Sequence, residues 1–146
     1  MPGNGYDRDM ERGKSNNSYS IKSLITKVCR GLYGGNEEEL ERKEKRLTGL
    51  LRGKEEHVLM YALYRLADIL LPEEPDELGV KDASGSKEGW KALEELVKRG
   101  MAVQVGSRKA RLLEEEYERC REEALASLGE EGLEELDLAI EDFIET

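Results

Sequence analysis

SGSKEGWKALEELVKRGMAVQVGSRKARLL, residues 84–113, is the stretch whose reading decides the fold. Trp90, Leu93, Leu96 and Val97 recur at the three-and-four spacing of one helical face, and Gly100 stands where a left-handed C-terminal cap is wanted. Beyond it, Met101, Val103 and Val105 alternate with small or polar residues. Gly106 and Ser107 supply a two-residue turn with glycine first, and Ala110 and Leu112 alternate on the way back. Pairing through that turn sets Val103 opposite Ala110 and Met101 opposite Leu112. One face is then apolar, while Gln104, Lys109 and Arg111 share the other. A helix runs straight into a short hairpin with a basic tip.

Working toward the N-terminus, the most apolar segment of the chain runs from about residue 54 to 71 and includes Val58, Leu59, Tyr61, Leu63, Leu66 and Leu70. A helix apolar nearly all round must be covered on most sides, so this is the expected core helix, stopped by Pro72. Residues 72–85 carry two prolines and several turn formers, with Leu78, Val80 and Ala83 available for a short second helix. Upstream, Asn36 followed by Glu39 forms a capping pattern that opens a charged helix through Leu40, Leu47, Leu50 and Leu51. Before that, Ile21, Leu24, Ile25, Val28 and Leu32 mark another helical stripe closed by Gly34 and Gly35. Residues 1–18 are polar and aperiodic and are expected to be a disordered tail. Downstream, Leu113, Tyr117, Cys120, Ala124 and Leu128 define a helix that Gly129 interrupts. Leu133, Leu136, Ile140, Phe143 and Ile144 continue at near-heptad spacing. The expected architecture is mainly α with a small β-hairpin, a winged helix-turn-helix with additional N- and C-terminal helices. It forms a single domain over residues 19–146, with residues 112–146 as an acidic dimerisation or partner arm.

A formal net charge of −10 over 146 residues argues against a nucleic-acid binder at first sight. The charge is unevenly spread. Residues 112–146 hold 14 acids against 2 bases, whereas residues 81–111 hold 8 bases against 4 acids. Charges farther apart than about 8–10 Å are screened at physiological salt, so the helix and hairpin can present a locally positive field. Glutamine is confined to Gln104, and Glu, Lys and Arg are abundant, a usage of the kind found in thermophile proteins. Cys29 and Cys120 lie on apolar helical faces and read as small buried hydrophobes. No apolar run reaches the roughly 18–20 residues of a membrane span, and no signal-peptide pattern opens the chain, so a cytoplasmic location without membrane contact is expected.

No catalytic constellation is legible. His57 sits in EEHVL without a second histidine or cysteine at a ligand spacing, so it reads as structural or solvated. Neither a metal nor a cofactor is expected. The constellation that carries chemistry is cationic. Ser84, Ser86, Lys87 and Lys91 fall on the first turns of the helix, where backbone N–H groups and the dipole favour a phosphate, and Arg108, Lys109 and Arg111 fall on the hairpin. Together they are the expected contacts to double-stranded DNA.

The LVKRG-M-A-x-V step from helix into hairpin and the closing SLGEEGLEELDLAIEDFIE resemble the winged-helix transcription regulators of the multiple-antibiotic-resistance-regulator (MarR) type, over roughly residues 55–146. That resemblance implies that Ser86, Lys87 and Lys91 face the major groove and Arg108 the minor groove. It also implies a homodimer built by helices near both termini, through Ile21, Leu24, Leu133, Leu136, Ile140 and Phe143. The expected function is that of a DNA-binding transcriptional regulator or nucleoprotein accessory factor. The alternative is an acidic protein–protein interaction module that docks a basic protein partner or imitates nucleic acid, favoured by the net −12 of the last 35 residues.

Overall fold

A computed structural model describes residues 13–144. The chain is mainly helical. Helices α1 (Gly13–Leu32), α2 (Glu37–Leu51) and α3 (Glu56–Leu70) are followed by β1 (Val80–Asp82), α4 (Lys87–Lys98), β2 (Ala102–Gly106), β3 (Lys109–Leu112) and α5 (Glu114–Ile144). Gly129, at φ 80° and ψ 168°, divides α5 in two, as its position in the apolar rhythm predicts. The tail expected over residues 1–18 lies mostly outside the described residues, and α1 already begins at Gly13. Among the described residues no helix is long and apolar enough to cross a membrane.

Local chemistry sets most of the boundaries. The Asn36 side chain accepts the Glu39 N–H at 2.8 Å, and the Ser86 hydroxyl accepts the Gly89 N–H at 2.9 Å, so α2 and α4 each begin on a side-chain cap. Helix α4 ends in a Schellman arrangement. Gly100, at φ 81°, donates to Val97 O at 3.1 Å, and Met101 donates to Leu96 O at 2.8 Å. Gly89 lets the first turn of α4 lie on the end of α3, since a Cβ there would sit 2.3 Å from Leu71 Cδ2.

Helix α3 is the core helix, buried without a break from Val58 through Tyr64 and again at Leu66 and Ala67, and it packs against α1, α4 and α5. Its tyrosines join α5. The Tyr61 ring lies 5.8 Å and the Tyr64 ring 4.3 Å from that of Tyr117, and the Tyr61 hydroxyl donates to Asp137 at 2.8 Å.

Two parts of the hairpin region depart from expectation. Residues 72–86 contain no short second helix; Val80–Asp82 instead form a third strand, giving an antiparallel sheet of order β1-β3-β2. The hairpin register is also one residue away from the expected one. Ser107 and Arg108 make the turn, Gly106 faces Lys109, Gln104 faces Ala110, Val103 faces Arg111, and a bulge lies between Gln104 and Gly106. The cap of α4 explains the slip. It fixes Met101 in the core, where its carbonyl accepts the Leu113 N–H at 2.9 Å, so Ala102 pairs with Leu112. The small Ala102 and Ala110 then face inward, and Val103 and Val105 stand 51% and 45% exposed.

Strand β1 carries an unexpected buried cation. Lys81 is 7% exposed, and its ammonium meets Asp68 Oδ1 at 3.0 Å, Asp68 O at 3.2 Å and Leu71 O at 3.3 Å. Three acceptors match its three donors, which is what makes the burial tolerable.

The terminal helices pair within the chain. Ile21, Leu133, Leu136, Ile140 and Phe143 are buried in the protomer's own core, and Leu24 packs against it. The acids of the last turns are partly engaged there as well: Asp137 by Arg65 at 3.4 Å, Glu141 by Arg65 at 3.7 Å, and Asp142 by Arg46 at 3.4 Å. The six residues assigned to dimerisation are thus occupied inside one protomer. An apolar stripe on a terminal helix needs a partner, and here the partner is the helix layer of the same chain.

Candidate nucleic-acid interface

The start of α4 and the hairpin turn meet at one end of the molecule. Ala83 N–H donates to Arg108 O at 2.8 Å, and Ser86 N–H donates to Ala83 O at 3.1 Å, so the segment leading into α4 is fastened to the hairpin tip. Asp82 stiffens the same segment by accepting the Ser84 N–H at 2.9 Å. That bond, with Lys109 nearby, holds the Asp82 carboxyl below the ordinary carboxylate range. Ser84, Ser86, Lys87 and Arg108 are gathered here. Lys87 and Arg108 are exposed and have no ion-pair partner among the described residues. The free N–H groups of the first turn of α4 open on the same end, although Ser86 already takes that of Gly89.

Arg108 is also the one non-glycine residue of the described chain at positive φ, 57°. A left-handed conformation costs a residue with a Cβ about 1–2 kcal/mol. The turn therefore carries a strained, exposed arginine at its tip.

The remaining cations are separated from this end or neutralised. Lys91 lies 3.6 Å from Glu88, whose carboxylate rests on α1 at Gly31, where a Cβ would come within 2.6 Å of it. Lys109 and Arg111 share the outward face of β3. There Lys109 is paired with Glu74, which raises its pKa above the ordinary lysine value. Arg111 bonds Leu78 O at 2.6 Å and lies 3.4 Å from Glu77. Six of the seven expected contact residues thus divide into a free set at the tip and a covered set under the segment between α3 and β1, and Lys91, held by Glu88, belongs to neither. The two covering carboxylates were not singled out from the sequence. Their signal was the acid-rich PEEPDELG run, residues 72–79, placed just before the basic unit.

Among the described residues no second constellation competes with this one. A cleft of about 630 Å³ opens between the start of α3, the end of α4 and α5, with Glu56, His57, Met60, Glu95 and Cys120 among its walls. Arg99 crosses it, bound to Glu95 at 2.7 Å and Glu56 at 3.2 Å. His57 Nδ1 lies 3.8 Å from Glu123, and its buried Nε2 makes no hydrogen bond. Burial pushes the Cys120 thiol up, and that of Cys29 to about 12, the opposite of what a nucleophilic thiol requires. Among the described residues no group of three or more His, Cys, Asp or Glu side chains could hold a metal ion. Comparison with protein families, curated proteins and solved structures finds no match to the chain.

Proposed function

We propose that this protein is a non-enzymatic, winged-helix-like DNA-binding protein, a transcriptional regulator or nucleoprotein accessory factor that grips the phosphate backbone with the end formed by α4 and the hairpin turn. The observation that carries the reading is the 2.8 Å bond from Ala83 to Arg108, which fastens the helix start to the turn and sets Lys87 and Arg108, both exposed and without an ion-pair partner among the described residues, on one end. The segment ahead of α4 is a strand, so no second helix is there to seat α4 in a major groove. Affinity on this reading comes from phosphates, depends little on sequence and falls with salt. The six residues first assigned to a homodimer pack inside the protomer, so a dimer on this reading uses another surface.

An electrophoretic shift assay with a nonspecific duplex at 50 mM salt tests this. The wild type is expected to retain the duplex and Lys87→Ala/Arg108→Ala to release it. Failure of the wild type to bind would leave the reading without its main term. It would favour a second reading, a protein-interaction module. What supports that alternative is a set of exposed apolar side chains, Leu78 at 81% with Val103 and Val105, together with a strongly acidic α5.

A further inference from the structure

We propose that the segment between α3 and β1, residues 72–79, is an internal competitor for nucleic-acid phosphate, holding the covered half of the cationic surface closed. The inference rests on the duplex-binding reading above and names its regulation. The segment is acidic, with Glu73, Glu74, Asp76 and Glu77 between Pro72 and Gly79. It is also well ordered by its own bonds. Glu74 N–H donates to Val80 O at 2.8 Å, Asp82 N–H to Pro72 O at 3.1 Å, and Gly79 N–H to Glu73 Oε2 at 3.1 Å, while Gly79 O accepts from Leu112 at 3.1 Å. This scaffold presents two carboxylates, Glu74 and Glu77, to two cations that stand two residues apart on β3, Lys109 and Arg111.

The arrangement has the chemistry of a backbone mimic, two anions fixed over a strand that offers two cations at a spacing of about 7 Å. All four side chains are partly exposed to solvent. Surface ion pairs of that kind add little to folding stability. Their effect on a phosphate ligand is larger, because an approaching duplex must displace both carboxylates and bear their repulsion. Neutralising them removes both competing anions without threatening the fold, and leaves Arg111 with only its neutral bond to Leu78 O.

The test compares the full-length wild type, Glu74→Gln/Glu77→Gln, and the equal-charge control Glu134→Gln/Glu135→Gln on a nonspecific duplex between 50 and 200 mM salt. Each phosphate contact adds about 0.9 to the salt slope, so two released cations steepen it by about 1.8 and tighten binding by about two hundredfold at 50 mM salt. The control is expected to leave the slope unchanged. Adding Lys109→Ala/Arg111→Ala to the loop variant should abolish the gain, and thermal melts within about 2 °C of wild type confirm that the variants fold. The inference is overturned if the loop variant gains no more than the control, or if its gain survives loss of Lys109 and Arg111. A wild type that binds with an unaltered loop variant removes this inference alone. Absence of binding by wild type and loop variant at 50 mM removes the duplex reading and the inference with it.

Discussion

Replacing Arg108 by glycine is expected to stabilise the protein while weakening its grip on DNA. At φ 57° the arginine sits in the left-handed region, at a cost of about 1–2 kcal/mol, which glycine does not bear. Glycine loses about 0.5–1 kcal/mol more backbone entropy on folding, so the net gain is about 0.5–1 kcal/mol. For a chain of this size that corresponds to a rise of about 2 °C in melting temperature. Loss of one phosphate contact, scaling as about the 0.9 power of salt, lowers duplex affinity about eightfold at 0.1 M. Arg108→Ala separates the two effects. It removes the charge but keeps a Cβ at positive φ, so it should lose the same affinity without gaining stability. Paired melts by circular dichroism and binding by fluorescence anisotropy measure both. A melting temperature that falls in Arg108→Gly, or glycine and alanine variants that bind as wild type does, would refute the view that turn strain is kept for contact.

Phe143→Ala should cost about 3–5 kcal/mol by denaturant titration and leave the solution mass as it is in wild type, because Phe143 is buried inside one protomer. A dimeric mass that dissociates in that variant would restore an interface at the terminal helices. Lys81→Ala should cost about 2 kcal/mol by denaturant titration, since it leaves three acceptors at Asp68 and Leu71 without their ammonium; an unchanged midpoint would contradict the buried role given to it. The Asp82 carboxyl is depressed mainly by the Ser84 N–H, so its stabilising effect is full above the ordinary value of 3.8 and is lost as pH falls through the lower folded value. Asp82→Asn should accordingly converge with wild type in acid melts, and a gap that persists at the lowest pH would assign the effect to something other than ionisation.

What the sequence made legible was whatever is local. Asn36 with Glu39, Gly100 and Gly129 each act within a few residues of themselves, and each marks a boundary where it was expected, whereas Ser84 and Ser86, expected on the first turn of α4, lie ahead of it with Ser86 as its cap. The hairpin was legible as a hairpin, yet Gly106 drew the turn one residue early. The true register is imposed by Met101, fixed from the other side by the cap of α4, and by a bulge that no residue type announces. Strand β1 has three residues, one of them a lysine, and its burial depends on Asp68, thirteen positions earlier in the chain. Periodicity showed that Leu133, Leu136, Ile140 and Phe143 needed cover, and could not show whether the cover came from a second copy or from α1, α2 and α3. In the cationic set, Lys87 and Arg108 lie exposed near the fastened helix start and turn, while Lys109 and Arg111 met carboxylates whose proximity is a tertiary fact.

The central claim is that the start of α4 and the hairpin turn together hold phosphate. The most direct measurement is the slope of log affinity against log salt for wild type and for Lys87→Ala/Arg108→Ala on one nonspecific duplex. The account predicts a wild-type slope steeper by about 1.8. Two parallel lines would contradict it.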